Sequence, residues 1–126
     1  MTLQRFLLGC MILMGCLTSS AFCEETTLQG EIVDLQCYMA NPKTGKGKRH
    51  APCATQCINR GLPAGFLSEG KLDLLLGKGR MSVKLMVAKH AGKPVYLTGT
   101  SMNHNGMDAI QVGEVSTEPK TEKEDE

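Results

Sequence analysis

Asn105-Gly106 stands between two runs in which apolar residues recur at strand spacing, Pro94–Met102 and Met107–Val115. Asn-Gly in that setting is the strongest short hairpin signal a sequence carries, because both residues tolerate the positive φ that a type I′ turn demands. It commits the C-terminal part of the chain to an antiparallel pair. Two strands alone are marginal in water, so the rest of the chain must supply more strands and a core. Gly65–Leu76 reads as a second hairpin, entered by Phe66 and Leu67 and turning at Glu69-Gly70, with Leu72, Leu74 and Leu76 alternating on the return. Leu28–Met39 reads as a further strand. There Val33, Leu35 and Cys37 alternate with Asp34 and Gln36, which points Cys37 inward.

Helical punctuation is sparse. Pro52–Arg60 has a proline suited to a first turn and Gly61 placed to cap the end, with Pro63 blocking continuation. Met81–Ala91 fits either period, and Gly92 as a cap tips it toward a short helix. The sum is a mainly β chain: a small five-stranded OB-like barrel with one or two short helices. An open sheet with one helix packed on it is the alternative architecture.

The N-terminus carries Arg5, an apolar run from Phe6 to Leu17 and then small and polar residues, the pattern of an export signal. The run is shorter than the ~20 residues that span a bilayer. Residues 1–23 are therefore assigned as a signal peptide, with cleavage after Ala21 or Cys23. Leu13-Met14-Gly15-Cys16 also resembles a lipobox, so a lipid anchor at Cys16 is the alternative. Either route predicts an extracytoplasmic location, periplasmic or secreted. Thr117–Glu126 is charged and has no apolar anchor, so it reads as a disordered tail.

Between these ends, residues 26–116 form one expected domain of about 90 residues, a size at which a disulfide or a metal often supplements the core. The chain has no Trp, so Leu, Ile, Val and Met must build that core. The full chain has 14 Lys+Arg and 13 Asp+Glu. Loss of Arg5 with the signal balances them, which excludes a global basic field for nucleic acid.

The chemistry-bearing segment is Cys37, His50, Cys53 and Cys57, spaced Cys-x12-His-x2-Cys-x3-Cys. Thiolates beside an imidazole suit Zn or Cu(I). Cys53 and Cys57 are four apart and share one helix face, with His50 just upstream. The helix N-terminus and the nearby Lys46, Lys48 and Arg49 are expected to lower thiol pKa values. A Cys3His metal site is one reading. A disulfide is another, because exported cysteines tend to pair. Joining Cys37 to Cys53 or Cys57 would contribute roughly 3 kcal/mol by loop-closure entropy, yet three cysteines leave one unpaired. A small thiol redox protein is the third reading, with Cys53 as the reactive thiol. There is no Cys-x-x-Cys to support thioredoxin-like chemistry. The sequence offers no Ser/His/Asp set and no paired carboxylates, so no catalytic residue is assigned.

Gly30-Glu31-Ile32-Val33-Asp34, Cys37-Tyr38, Gly45-x-Gly47, His50-x2-Cys53-Ala54-x2-Cys57-Ile58 and Gly61-x-Pro63, with the later Gly92-Lys93-x-Val95 and Leu97-Thr98-Gly99, resemble a family of small exported bacterial domains of uncharacterised function. The resemblance covers roughly Leu28–Val115. It implies export and a compact β-rich domain around a Cys/His cluster, and no activity. Met102-x-His104-x2-Met107 lies outside that pattern. These residues bracket the hairpin turn, where thioether and imidazole donors suit copper and where packing at the hairpin end is the alternative. The basic loop of Lys43, Lys46, Lys48 and Arg49 lacks the Gly-Lys-Ser/Thr of a phosphate loop and reads as solvated.

Overall fold

A computed structural model describes residues 24–120. The export signal, the lipobox at Cys16 and the last six residues of the tail lie outside them. Five strands close into a barrel in the order β1-β2-β3-β5-β4. They are β1 (Glu25–Asp34), β2 (Ala64–Ser68), β3 (Lys71–Leu76), β4 (Pro94–His104) and β5 (Met107–Ser116). β1 is the hinge of the closure: its first part pairs with β4, Glu25 against Thr100 through Glu31 against Pro94. Its second part pairs with β2, Glu31 against Leu67 through Asp34 against Ala64. All pairings are antiparallel except β3 with β5, where Leu74–Leu76 runs parallel to Ala109–Gln111. This is the OB-like barrel that the strand pattern predicts.

Both predicted hairpins form. Asn105 and Gly106 take φ of 52° and 80°, the conformation of a type I′ turn, and His104 pairs directly with Met107. Three short α-helices decorate the barrel: α1 (Leu35–Ala40), α2 (Ala51–Asn59) and α3 (Val83–Val87), the last running into a 3₁₀ turn at Ala88–His90. Helix α2 ends as its sequence predicts. The Leu62 N–H donates to Cys57 O at 3.1 Å and the Gly61 N–H to Ile58 O at 2.9 Å. These are the paired bonds of a Schellman motif, and Gly61 supplies its left-handed residue at φ 98°.

The core is the barrel interior, with Ile32, Phe66, Leu75, Val95, Leu97 and Ile110 all at most 2% exposed. Ala54 and Ile58 of α2 and Val87 of α3 are buried with them. No helix among the described residues is long and apolar enough to cross a membrane. The first residues of the tail are exposed, and Lys120 pairs with Glu114 at 2.6 Å.

One element departs from expectation, and it carries a site residue. The first strand stops at Asp34, and Leu35–Ala40 turns into a helix rather than continuing to Met39. The reason is local. Asp34 is the α1 N-cap and its Oδ1 accepts the Cys37 N–H at 2.8 Å, which satisfies a donor that a strand would have offered to a neighbour. The Leu35 N–H donates to Pro63 O at 2.9 Å, pinning the turn onto the segment that leads into β2. Asp34, expected on the polar face, is instead fully buried. Cys37 is a helical residue, half-buried at the end of the barrel.

Candidate metal centre

Two helices bring the cysteines together. Helix α1 carries Cys37. Helix α2 carries Cys53 and Cys57 on the face beside the Ala54/Ile58 stripe that anchors it to the core. Apolar packing of that stripe therefore fixes the azimuth of the two thiols. The loop between the helices is folded tightly onto α1: Gly45 is buried, and a Cβ there would stand 2.5 Å from Cys37 O and 2.6 Å from Tyr38 Cα. Only glycine permits so close an approach. The next anchor is the Gly47 N–H, which donates to Glu31 Oε1 on the barrel wall. The chain then reaches His50, the N-cap of α2, whose carbonyl accepts the Ala54 N–H at 2.9 Å.

The sulfurs of Cys37, Cys53 and Cys57 all lie within 4.8 Å of one another. A second triple, Asp34, Cys37 and His50, meets the same limit. Cys37 belongs to both. His50 Nε2 lies 2.9 Å from Asp34 Oδ2, so the imidazole is tethered to a buried carboxylate on one side and borders Cys37. Both triples are donor sets that a metal ion can use. The three cysteines singled out by spacing thus come together, whereas His50 joins Cys37 only, in a separate triple with Asp34, which the spacing argument passed over. Asp34-x-x-Cys37 does carry the signature of an N-cap, a short acceptor three residues before the amide it satisfies. The alternation of Val33, Leu35 and Cys37 masked it.

All three cysteines are free thiols. The Cys53 and Cys57 sulfurs stand 4.0 Å apart, about twice the ~2.05 Å of a disulfide. The stapled alternative is therefore not the state of this structure. Electrostatics also differ from expectation. The Cys37 thiol is pushed up to about 12 by its hydrogen bond to Asp34, then by burial and by the negative charge of Asp34. Burial, followed by a hydrogen bond with Cys53 and the charge of Asp34, raises Cys57. The basic loop does not offset this, because Lys43, Lys46, Lys48 and Arg49 are all exposed to solvent. Asp34 itself is held below the usual carboxylate range. Burial pushes it up, but the Cys37 N–H and the His50 imidazole outweigh that penalty.

The cluster is rich in groups that become anionic and poor in cations. A carboxylate and three thiols meet with one imidazole, and a bound cation would supply the missing positive charge. That is the test of fit, and the donor set passes it: thiolates as soft ligands, a carboxylate that orients the imidazole behind them, and Cys53 exposed at the entrance.

Met102, His104 and Met107 belong to neither triple; they line one cavity at the β4–β5 turn, and Met107 also lines a second one with Leu35 and Met39 of α1. Comparison with protein-family models, with curated proteins and with solved structures gives no match for this chain.

Proposed function

We propose that this chain is a binding module for one thiophilic metal ion, Zn(II) or Cu(I), held by the thiolates of Cys37, Cys53 and Cys57. His50, oriented by Asp34, flanks the ion beside Cys37. The observation that carries this reading is the convergence of three unbonded thiols from two helices within 4.8 Å. Three soft donors at that spacing need little movement to close on one cation at the ~2.3 Å typical of zinc–thiolate bonds. Exposure of Cys53 favours exchange with solvent or a partner over a sealed structural site. The export signal read in residues 1–23 supports a role outside the cytoplasm.

A thiol redox role is weaker on the same geometry. The attacking species in exchange is a thiolate, and Cys37 and Cys57 are both shifted toward the protonated form.

Intact-mass and metal analysis of the protein purified from its native compartment tests the proposal. The expected result is near-stoichiometric metal, with all three thiols alkylatable after its removal. A mass lower by two hydrogens, with no metal, would overturn it. Substitution with Co(II) then separates the two metals, since Co(II) reports a tetrahedral zinc-type site in its visible spectrum and does not mimic a low-coordinate Cu(I) one.

A further inference from the structure

The turn end of the long β4–β5 hairpin holds donors that the cysteine cluster does not use. In the β4–β5 ladder His104 pairs with Met107 and Met102 pairs with Ala109. Cross-strand partners share a face, and Met102 and His104 are two apart, so all three donors project from the same side of the sheet. The type I′ turn at Asn105-Gly106 fixes this pairing. Parallel pairing of Leu74 with Ala109 adds a wall, and the result is a cavity of about 180 Å³ lined by Leu74, Leu76, Met102, His104, Met107 and Ala109.

The lining has a defined chemistry: two thioethers and one imidazole, with aliphatic side chains between them and no carboxylate. Hard cations find no oxygen ligand among these side chains, whereas soft monovalent ions prefer thioether and imidazole. Core packing does not explain the methionine nearest the turn, since Met107 is 62% exposed. Directly opposed side chains such as His104 and Met107 have Cβ atoms about 5 Å apart, and Met102 lies on the diagonal at roughly 7–8 Å. The unbranched methionine chain is flexible enough to close that gap.

We propose that Met102, His104 and Met107 form a Cu(I) site, distinct from the cysteine cluster and independent of it. A thioether has no proton to lose, so this site loads without displacing one from sulfur.

The test is an anaerobic titration of the purified protein with Cu(I) against a chromophoric chelator, in parallel with methyl NMR of methionine-labelled protein titrated with Ag(I). The expected result is two equivalents of Cu(I) per chain, with the Met102 and Met107 methyl resonances moving together over one of the two equivalents of Ag(I). The double variant Met102→Leu/Met107→Leu, a volume-conserving change tolerated on folding grounds, should lose one equivalent and keep the other. A single equivalent that vanishes in this variant supports the hairpin site and counts against the cysteine reading. Unchanged stoichiometry in the variant, or methyl resonances that stay in place under saturating Ag(I), overturns the proposal.

Discussion

Asp34 Oδ2 lies 2.9 Å from His50 Nε2, and the carboxylate is fully buried while the imidazole keeps 15% of its side chain exposed. The other oxygen of the same carboxylate accepts the Cys37 N–H. One buried side chain therefore ends β1, starts α1 and orients the imidazole that borders the Cys37 thiol. Fold and site share this residue.

Removing that side chain should damage both functions. Asp34→Ala deletes the α1 N-cap, a loss of about 1 kcal/mol, and strands the imidazole without its acceptor. Denaturant unfolding should show the stability loss. Metal affinity, measured by chelator competition, should fall roughly 10–100-fold, the usual cost of losing an outer-shell partner. Asp34→Asn separates the effects, since asparagine also caps helices: stability should stay closer to the parent while affinity still falls. Equal affinity in all three proteins would remove Asp34 from the site.

The shifted groups give a pH signature for the metal-free protein. Cys37 has a folded value of about 12 against an ordinary 9.0. A raised value favours the protonated thiol in the fold, so this contribution is complete below pH 9 and is lost between pH 9 and 12. Asp34 is lowered. Its contribution is present above the ordinary carboxylate range and is lost as acid protonates it in the fold. Stability should thus decline at both extremes. Cys37→Ser should flatten the alkaline limb relative to the parent, as read by the midpoint of unfolding across pH. Binding of metal must displace the Cys37 proton, so affinity should rise with pH over the same interval. An alkaline limb identical in parent and variant would show that Cys37 does not sense Asp34 in this way.

Gly45 is the structural condition for the second triple. A methyl group there would meet the Cys37 carbonyl oxygen at 2.5 Å, a backbone contact that no rotamer change relieves. Gly45→Ala should cost about 1–3 kcal/mol, the range for overpacking. It should also move the loop that delivers His50. Weaker metal binding is expected to accompany the lower unfolding midpoint. A variant as stable as the parent would mean that the loop is not pressed against α1 in solution.

The legible parts of this fold are those whose signal is local. Asn105-Gly106 dictates its own turn, and Pro52 and Gly61 punctuate α2, so Cys53 and Cys57 could be placed on one helix face from spacing alone. Helix α1 was not legible, because six residues, Leu35–Ala40, form no stable helix by propensity. Its cap, Asp34, is local but was masked by the alternation of Val33, Leu35 and Cys37, and its other anchor, the Pro63 carbonyl, is a long-range fact. The same holds for the thiol pKa values. The nearby lysines suggested depression, whereas their side chains point to solvent and the buried Asp34 governs Cys37. The parallel contact of β3 with β5 likewise joins segments about thirty residues apart, a distance at which strand patterns carry no pairing information.

Neighbouring residues on α2 should separate stability from binding. Ile58 is fully buried in the core, and Ile58→Ala should cost about 2–5 kcal/mol. Its effect on metal affinity should be small wherever the protein remains folded, since Ile58 is no donor and buried Ala54 still seats that face of α2 on the core. Cys57 lies one position earlier and is only half-buried. Cys57→Ser removes a soft donor with little change in volume, so the metal-free protein should unfold near the parent midpoint. Binding should nevertheless be lost, and with it the rise in unfolding temperature that saturating metal gives the parent. The two variants form a crossed pair: one lowers stability and spares binding, the other spares stability and removes binding. If Cys57→Ser instead kept full affinity, the three-thiolate site would be wrong, whatever Ile58→Ala did.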